Sequence, residues 1–135
     1  MTDNAAMCNF YQTPSQNAVE SCWRIDASTV SSWPKDVHPC STGLFLRGVA
    51  GQTILVAGQW GLIPSFVKTT KLTYQANNAR SEELSEKASY RQPWAKGQRC
   101  LIPAEFFDEP CWETGRNVWR RFRRGHGNHR RQSAG

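Results

Sequence analysis

The chain has 135 residues, enough for one domain with one modest hydrophobic core. Its apolar runs all fall short of the ~18 residues that a membrane helix needs. The start of the chain lacks the basic residues and the apolar run of a secretory signal, which favours a cytoplasmic protein.

The net charge of +6 is concentrated at one end of the chain. Residues 1–115 hold 10 Lys and Arg and all 11 Asp and Glu, so they carry a net charge of −1. Residues 116–135 hold seven arginines and no acidic residue. The basic composition therefore says little about what the folded part binds, although a basic segment of this kind favours nucleic acid.

The first half of the chain predicts a helix, a loop and a hairpin. Residues 17–25 are predicted to form a short helix, and residues 31–43 form a loop with two prolines and a glycine. Two runs rich in branched residues, 44–49 and 53–60, flank a short turn. They predict a β-hairpin.

The second half begins with an irregular segment, residues 61–84, which is long enough to suggest a functional loop. Residues 89–97 predict a short helix that begins at a Ser89 cap and stops at Gly97. Residues 99–109 predict a strand, a proline irregularity and a second strand. The alternating residues 116–124 predict a strand that returns after a turn, so the fold class is strand-rich α+β.

The five cysteines fit neither a disulfide framework nor a zinc site, because their number is odd and their spacing is irregular. We expect Cys22, Cys40, Cys100 and Cys111 to be reduced and to fill the core. Cys8 differs because it directly follows a second methionine, Met7.

Three segments together resemble the SRAP family, the SOS response-associated peptidases, also called abasic-site processing proteins. They are "MCNFY" at 7–11, "WGLIP…NNARSEEL" at 60–84 and "QRCLIPAEFFDEPCW" at 98–112. The resemblance extends over residues 7–124. It implies an SRAP-like mixed β-sheet or partial barrel with short flanking helices, incomplete at the C-terminus.

The resemblance divides the chain into three parts. Residues 1–7 are expected to be a leader that is removed or bypassed, and residues 8–124 a partial SRAP domain. Residues 125–135 are expected to be a basic, disordered tail. The family domain is longer, and after Phe122 the only remaining apolar side chain is that of Ala134. A reading-frame shift near Gly125 would explain the change in composition, and a functional basic arm is the alternative.

The resemblance also implies that Cys8 works as the first residue and traps abasic sites in single-stranded DNA. Its amine forms an imine with the sugar aldehyde, and its thiol then closes a thiazolidine ring. An amine with a pKa of about 8 is roughly a quarter neutral at pH 7.5, whereas a lysine near ~10.4 is only about 0.1% neutral. Cys8 would become the first residue by initiation at Met7 with methionine removal, or by self-cleavage.

Two further catalytic residues follow from the resemblance. Glu109 matches the catalytic glutamate and would shuttle protons, with Asp108, Glu105 and Glu113 as nearby alternatives. Asn78 matches the asparagine that orients the cysteine, with Asn77 as the alternative.

Two residues are expected to contact DNA. Arg80 matches the arginine that faces the DNA backbone, although a salt bridge to Glu82 would be an ordinary alternative. Pro39 resembles the loop proline that lies against the lesion strand. Trp60 and Trp94 are expected in the core rather than as base-stacking platforms.

The implied partner is therefore single-stranded DNA with abasic sites, in the DNA damage and SOS response. We expect a monomer associated with the nucleoid, with no membrane contact, no metal and no cofactor. The implied activities are DNA–protein cross-linking and a self-processing peptidase (hydrolase) step, with Cys8 and Glu109 as participants. None of His38, His126 and His129 matches the family's assisting histidine. The alternative is a non-catalytic fragment that binds nucleic acid only through its arginines.

Overall fold

The computed structural model describes residues 8–69, 71, 76–111, 113 and 115–125. The predicted leader, His126 and His129 lie outside these residues, as does all of the predicted tail except Gly125. None of the helices in the described part is long and apolar enough to cross a bilayer.

The described residues form six strands, two α-helices and one 3-10 turn, so the predicted strand-rich α+β class is confirmed. In chain order the elements are β1 (Phe10–Gln12), α1 (Gln16–Trp23), β2 (Asp36–Val37), β3 (Thr42–Val49), β4 (Gln52–Gln59), the 3-10 turn Ser81–Glu83, α2 (Ala88–Ala95), β5 (Phe106–Cys111) and β6 (Val118–Arg123). Across the described residues the strands lie in two sheets that do not close into a barrel.

The larger sheet has the strand order β2-β1-β5-β6, and each neighbouring pair is antiparallel. Strand β1 is only three residues long, yet it pairs on both sides. Tyr11 lies opposite Val37 on β2 and opposite Phe107 on β5. This register brings the start of the chain against a strand that begins nearly 100 residues later.

The smaller sheet is the β3–β4 hairpin, which confirms the sequence prediction. All eight residues of β3 pair with β4, from Thr42 opposite Gln59 to Val49 opposite Gln52. The two turn residues have positive φ, 50° at Ala50 and 79° at Gly51. Two such residues in succession match the twist of the flanking strands.

Helix α1 confirms the predicted helix in the first half of the chain. The Ser15 hydroxyl accepts a hydrogen bond from the Ala18 amide at 3.3 Å and caps its start. Helix α2 confirms the predicted second helix, but the prediction that Ser89 caps its start was wrong. Ser89 lies inside the helix, and Lys87 takes the cap position without a side-chain hydrogen bond.

The core is small, as the chain length predicts. Its buried cluster consists of Val19, Ala27, Leu44, Leu46 and Leu55. The predicted strand near residue 101 is reduced to a single bridge, in which Leu46 and Leu101 exchange backbone hydrogen bonds of 2.8 and 2.9 Å.

The expected burial of four cysteines was wrong. Cys22, Cys40 and Cys100 are exposed, and Cys111 is half-buried. A core of so few residues leaves small apolar side chains at the surface.

The two sheets come into close contact at Gly43 of β3. A Cβ at this position would collide with the hydroxyl of Tyr11 and approach Val37 within 3.2 Å. Glycine therefore allows β3 to pack against the buried face of β1.

We predict that Gly43→Ala lowers the free energy of unfolding by about 1–3 kcal/mol, because the extra methyl must displace the Tyr11 ring. Urea unfolding followed by fluorescence measures the change. Gly48→Ala is the matched control on the same strand, because its Cβ would meet nothing within 4 Å. Equal effects of the two substitutions would contradict the proposed close approach.

Candidate active site around Cys8

Cys8 lies two residues before β1 and is half-buried. Its carbonyl oxygen accepts hydrogen bonds from two consecutive side-chain amides. Asn77 Nδ2 and Asn78 Nδ2 both donate to it, each at 3.1 Å. These bonds join the long loop between β4 and α2 to the first described residue.

Helix α2 fixes the position of Asn78. The Tyr90 hydroxyl donates to the Asn78 backbone oxygen at 2.9 Å, and Tyr90 lies in the first turn of the helix. Sequence reasoning missed Tyr90, because the tyrosine lies between the motif segments. It also treated Asn77 only as an alternative to Asn78, whereas the structure uses both amides.

Glu109 lies on β5, the strand that pairs with β1. Phe10 pairs with Asp108, so Glu109 stands one residue further toward Cys8 in the antiparallel register. The two carboxylates differ in their partners. Arg121 donates to both oxygens of Asp108, at 2.9 and 3.0 Å, whereas the Glu109 side chain has no hydrogen bond or ion pair with any described residue.

The Arg121 guanidinium lowers the pKa of Asp108 through these hydrogen bonds. Asp108 is therefore engaged by Arg121, whereas Glu109 has no such partner among the described residues. This distinction favours Glu109 over the alternative Asp108.

The surroundings raise the pKa of the Cys8 thiol. Burial is the largest cause, and the negative charges of Glu109 and Asp108 act in the same direction. A backbone hydrogen bond with Phe10 acts in the opposite direction, and the thiol also donates to the Phe10 oxygen at 3.6 Å. The thiol is therefore protonated at neutral pH.

Arg80 follows Asn78 by two residues and is exposed at the start of the 3-10 turn. The alternative salt bridge to Glu82 is absent from the ion pairs of the described residues. Pro39 is half-buried in the turn after β2. No hydrogen bond within the described part of the chain connects Pro39 to Cys8.

The two tryptophans differ. Trp60 packs edge-on against the buried Tyr11 ring, with centroids 4.9 Å apart, as expected for a core position. Trp94 is 42% exposed, against expectation, and the Arg99 guanidinium lies 3.8 Å from its ring centroid.

Comparison with known proteins places these motifs in one family. The family model described as SOS response associated peptidase (SRAP) matches residues 7–128. Abasic site processing protein YoqW of Bacillus subtilis is 51% identical over 51 residues, which cover 38% of this chain and 22% of that protein. Abasic site processing protein HMCES of Xenopus tropicalis is 40% identical over 63 residues, covering 44% of this chain and 19% of that protein.

A crystal structure of a Bordetella bronchiseptica protein has a similar fold. The TM-score is 0.70 at 32% identity, and the match covers 87% of this chain and 57% of the other. This chain therefore spans little more than half of the matched structure, and its matched segments span about a fifth of the curated relatives.

We predict that alkylation of Cys8 by iodoacetamide has its pH midpoint above the ordinary value for cysteine, because burial disfavours the thiolate. Peptide mass spectrometry measures the modified fraction at each pH. Glu109→Gln removes one nearby negative charge and should lower the midpoint.

Glu113→Gln is the matched control for this experiment. Glu113 lies in the same hairpin but is paired with Arg120, at 3.5 Å, and does not act on Cys8. A Cys8 midpoint below the ordinary value, or an equal shift in both variants, would contradict this description of the site.

Proposed function

Since this chain belongs to the SOS response associated peptidase (SRAP) family, we propose that it captures abasic sites in single-stranded DNA. The observation that carries the proposal is the arrangement around Cys8. Two amides hold the Cys8 backbone, and the neighbouring strand carries Glu109, whose carboxylate has no partner among the described residues. The names of the relatives, abasic site processing proteins, indicate the same class of DNA lesion.

The proposed reaction needs Cys8 as the first residue of the working protein. The neutral α-amine attacks the aldehyde of the ring-opened sugar and, with loss of one water, forms an imine. The Cys8 sulfur then adds to the imine carbon, and its proton passes to the nitrogen. The product is a five-membered thiazolidine ring, and no oxidant, metal or cofactor is consumed.

The protonated thiol suits this order of events. A thiol whose pKa is raised by burial is mostly protonated at neutral pH, so it competes only weakly for the free aldehyde unless a base takes its proton. The amine therefore reacts first, and the thiol adds only once the imine stands next to it. The proton lost by sulfur is the one that the imine nitrogen requires.

Glu109 is proposed to carry protons during loss of water, and Asn78 to position Cys8. Glu109 is well placed because no described residue neutralises it. Asn77 and Asn78 hold the Cys8 carbonyl, which limits rotation of the residue that reacts. Arg80 and Pro39 are proposed to contact the DNA strand, since Arg80 is exposed two residues beyond Asn78.

Exposure of the Cys8 amine requires removal of residues 1–7. In the proposed self-processing step, Glu109 takes the proton of the Cys8 thiol and the sulfur attacks the carbonyl carbon of Met7. The Met7–Cys8 C–N bond breaks, the freed amine takes the proton, and water hydrolyses the resulting thioester to release the leader. Initiation at Met7 followed by methionine removal would give the same chain without self-cleavage.

We predict that the protein forms a denaturation-resistant adduct with single-stranded DNA that carries one abasic site. Cys8→Ala should abolish the adduct, and Cys22→Ala, which removes an exposed thiol on α1, should retain it. Asn78→Ala should slow the reaction about tenfold through loss of one hydrogen bond. Glu109→Gln should slow it by about 100-fold or more.

A denaturing gel resolves the shifted band over time. Salt-sensitive binding without any adduct would contradict the proposal and favour the alternative, a fragment that holds nucleic acid only through its arginines.

We predict that the dominant species in an intact-mass spectrum begins at Cys8. If the leader is removed by self-cleavage, Cys8→Ala retains it, because the thiol is the attacking group. If translation starts at Met7, the chain of that variant still begins at position 8. A dominant species that begins at Met1 or Thr2 in the unmodified protein would exclude thiazolidine formation.

A further inference from the structure

The outer face of the larger sheet carries a row of three aromatic rings and one guanidinium next to Cys8. We propose that this row, formed by His38, Phe10, Phe106 and Arg121, stacks the bases of the DNA strand that flanks the captured site. The inference rests on the proposed function for its choice of partner, and it assigns a binding surface that the covalent chemistry does not require.

Each strand contributes one side chain to the row. Phe10 lies on β1, Phe106 on β5 and Arg121 on β6, and His38 directly follows β2. The Phe10 ring lies 5.0 Å from the His38 ring and 5.9 Å from the Phe106 ring, centroid to centroid. The Arg121 guanidinium carbon lies 3.8 Å from the Phe106 centroid. The row therefore crosses all four strands without interruption.

The row faces away from the core. Side chains alternate across a strand, so Phe10 points opposite to its neighbour Tyr11, which is buried in the interior. His38 is exposed, and the Arg121 side chain is 48% exposed. Phe10 and Phe106 are half-buried, and each contacts other members of the row.

The dimensions of the row suit a short run of bases. Adjacent strands lie about 4.8 Å apart, so a row across four strands measures about 14 Å. Stacked bases rise about 3.4 Å each along a DNA strand. The row begins two residues from Cys8, so a strand held at the lesion would continue across it.

The charges favour DNA over an apolar partner. Arg121 and Arg123 are alternate residues of β6 and share this face. Arg123 forms no ion pair with a described residue, so its guanidinium is available for a phosphate. Asp108 is already neutralised by Arg121. Proteins that bind single-stranded DNA without sequence preference combine aromatic rings with arginines in this way.

The test uses undamaged oligothymidine, which has no aldehyde, so its outcome is independent of the cross-linking reaction. We expect the double variant Phe10→Leu/Phe106→Leu to bind a labelled oligothymidine about tenfold more weakly, measured by fluorescence anisotropy. Phe10→Tyr keeps a ring and should bind nearly as well as the unmodified protein.

Phe122→Leu is the matched control. Phe122 is 47% exposed on the same sheet but stacks on Phe107 across the opposite face, with centroids 5.3 Å apart. The Phe122→Leu variant should bind oligothymidine within about twofold of the unmodified protein, since Phe122 does not touch the row. Circular dichroism confirms that each variant is folded.

A second comparison needs no substitution. The unmodified protein should bind oligothymidine about tenfold more tightly than an equally long sugar-phosphate strand of stable, aldehyde-free abasic units, because only the first offers rings to stack. Equal affinity for the two strands would overturn the proposal, as would a double variant that binds within twofold of the unmodified protein. A dimer that the double variant dissociates would assign the face to a second copy instead.

Discussion

The pairing of β1 with β5 is the interaction on which the candidate site depends. It is short, with three residue pairs from Phe10–Asp108 to Gln12–Phe106, yet it joins the two ends of the described chain. Without it, Cys8 and Glu109 would belong to separate parts of the molecule. The two asparagine amides add a second constraint, since they tie the Cys8 carbonyl to the loop before α2.

These constraints give the carboxylates around Cys8 different roles. Asp108 is occupied by Arg121, which also covers the Phe106 ring. Glu109 has no such partner among the described residues, and its charge helps to keep the Cys8 thiol protonated. The same β5–β6 pairing therefore supports both the candidate site and the proposed stacking row.

The sequence was sufficient for local structure. The β3–β4 hairpin, α1 and the return from β5 to β6 all follow from periodicity and turn residues close in sequence. The pairing of β1 was not predictable in this way, because a three-residue strand has almost no periodicity and its partner is distant in the chain. The surface cysteines were also missed, since residue type predicts burial only when the core is large enough.

The site could be predicted only in part. Cys8, Asn78 and Glu109 were selected by their resemblance to family motifs, and no spacing rule relates residues so far apart. The contact of Tyr90 with Asn78, and the hydrogen bonds of both asparagine amides to Cys8, depend on how α2 packs beside the loop. The row that includes Phe10 and Phe106 depends on strand register, which the motifs do not contain.

The attachment point of captured DNA is the most direct test of covalent capture by the first residue. The adduct is digested with nuclease and trypsin, and the modified peptide is sequenced by mass spectrometry. Thiazolidine formation predicts that the peptide begins at Cys8, ends at Arg24 and carries the sugar remnant on Cys8, with the loss of one water. A remnant on a lysine, or on a Cys8 that still has Met7 before it, would contradict the account.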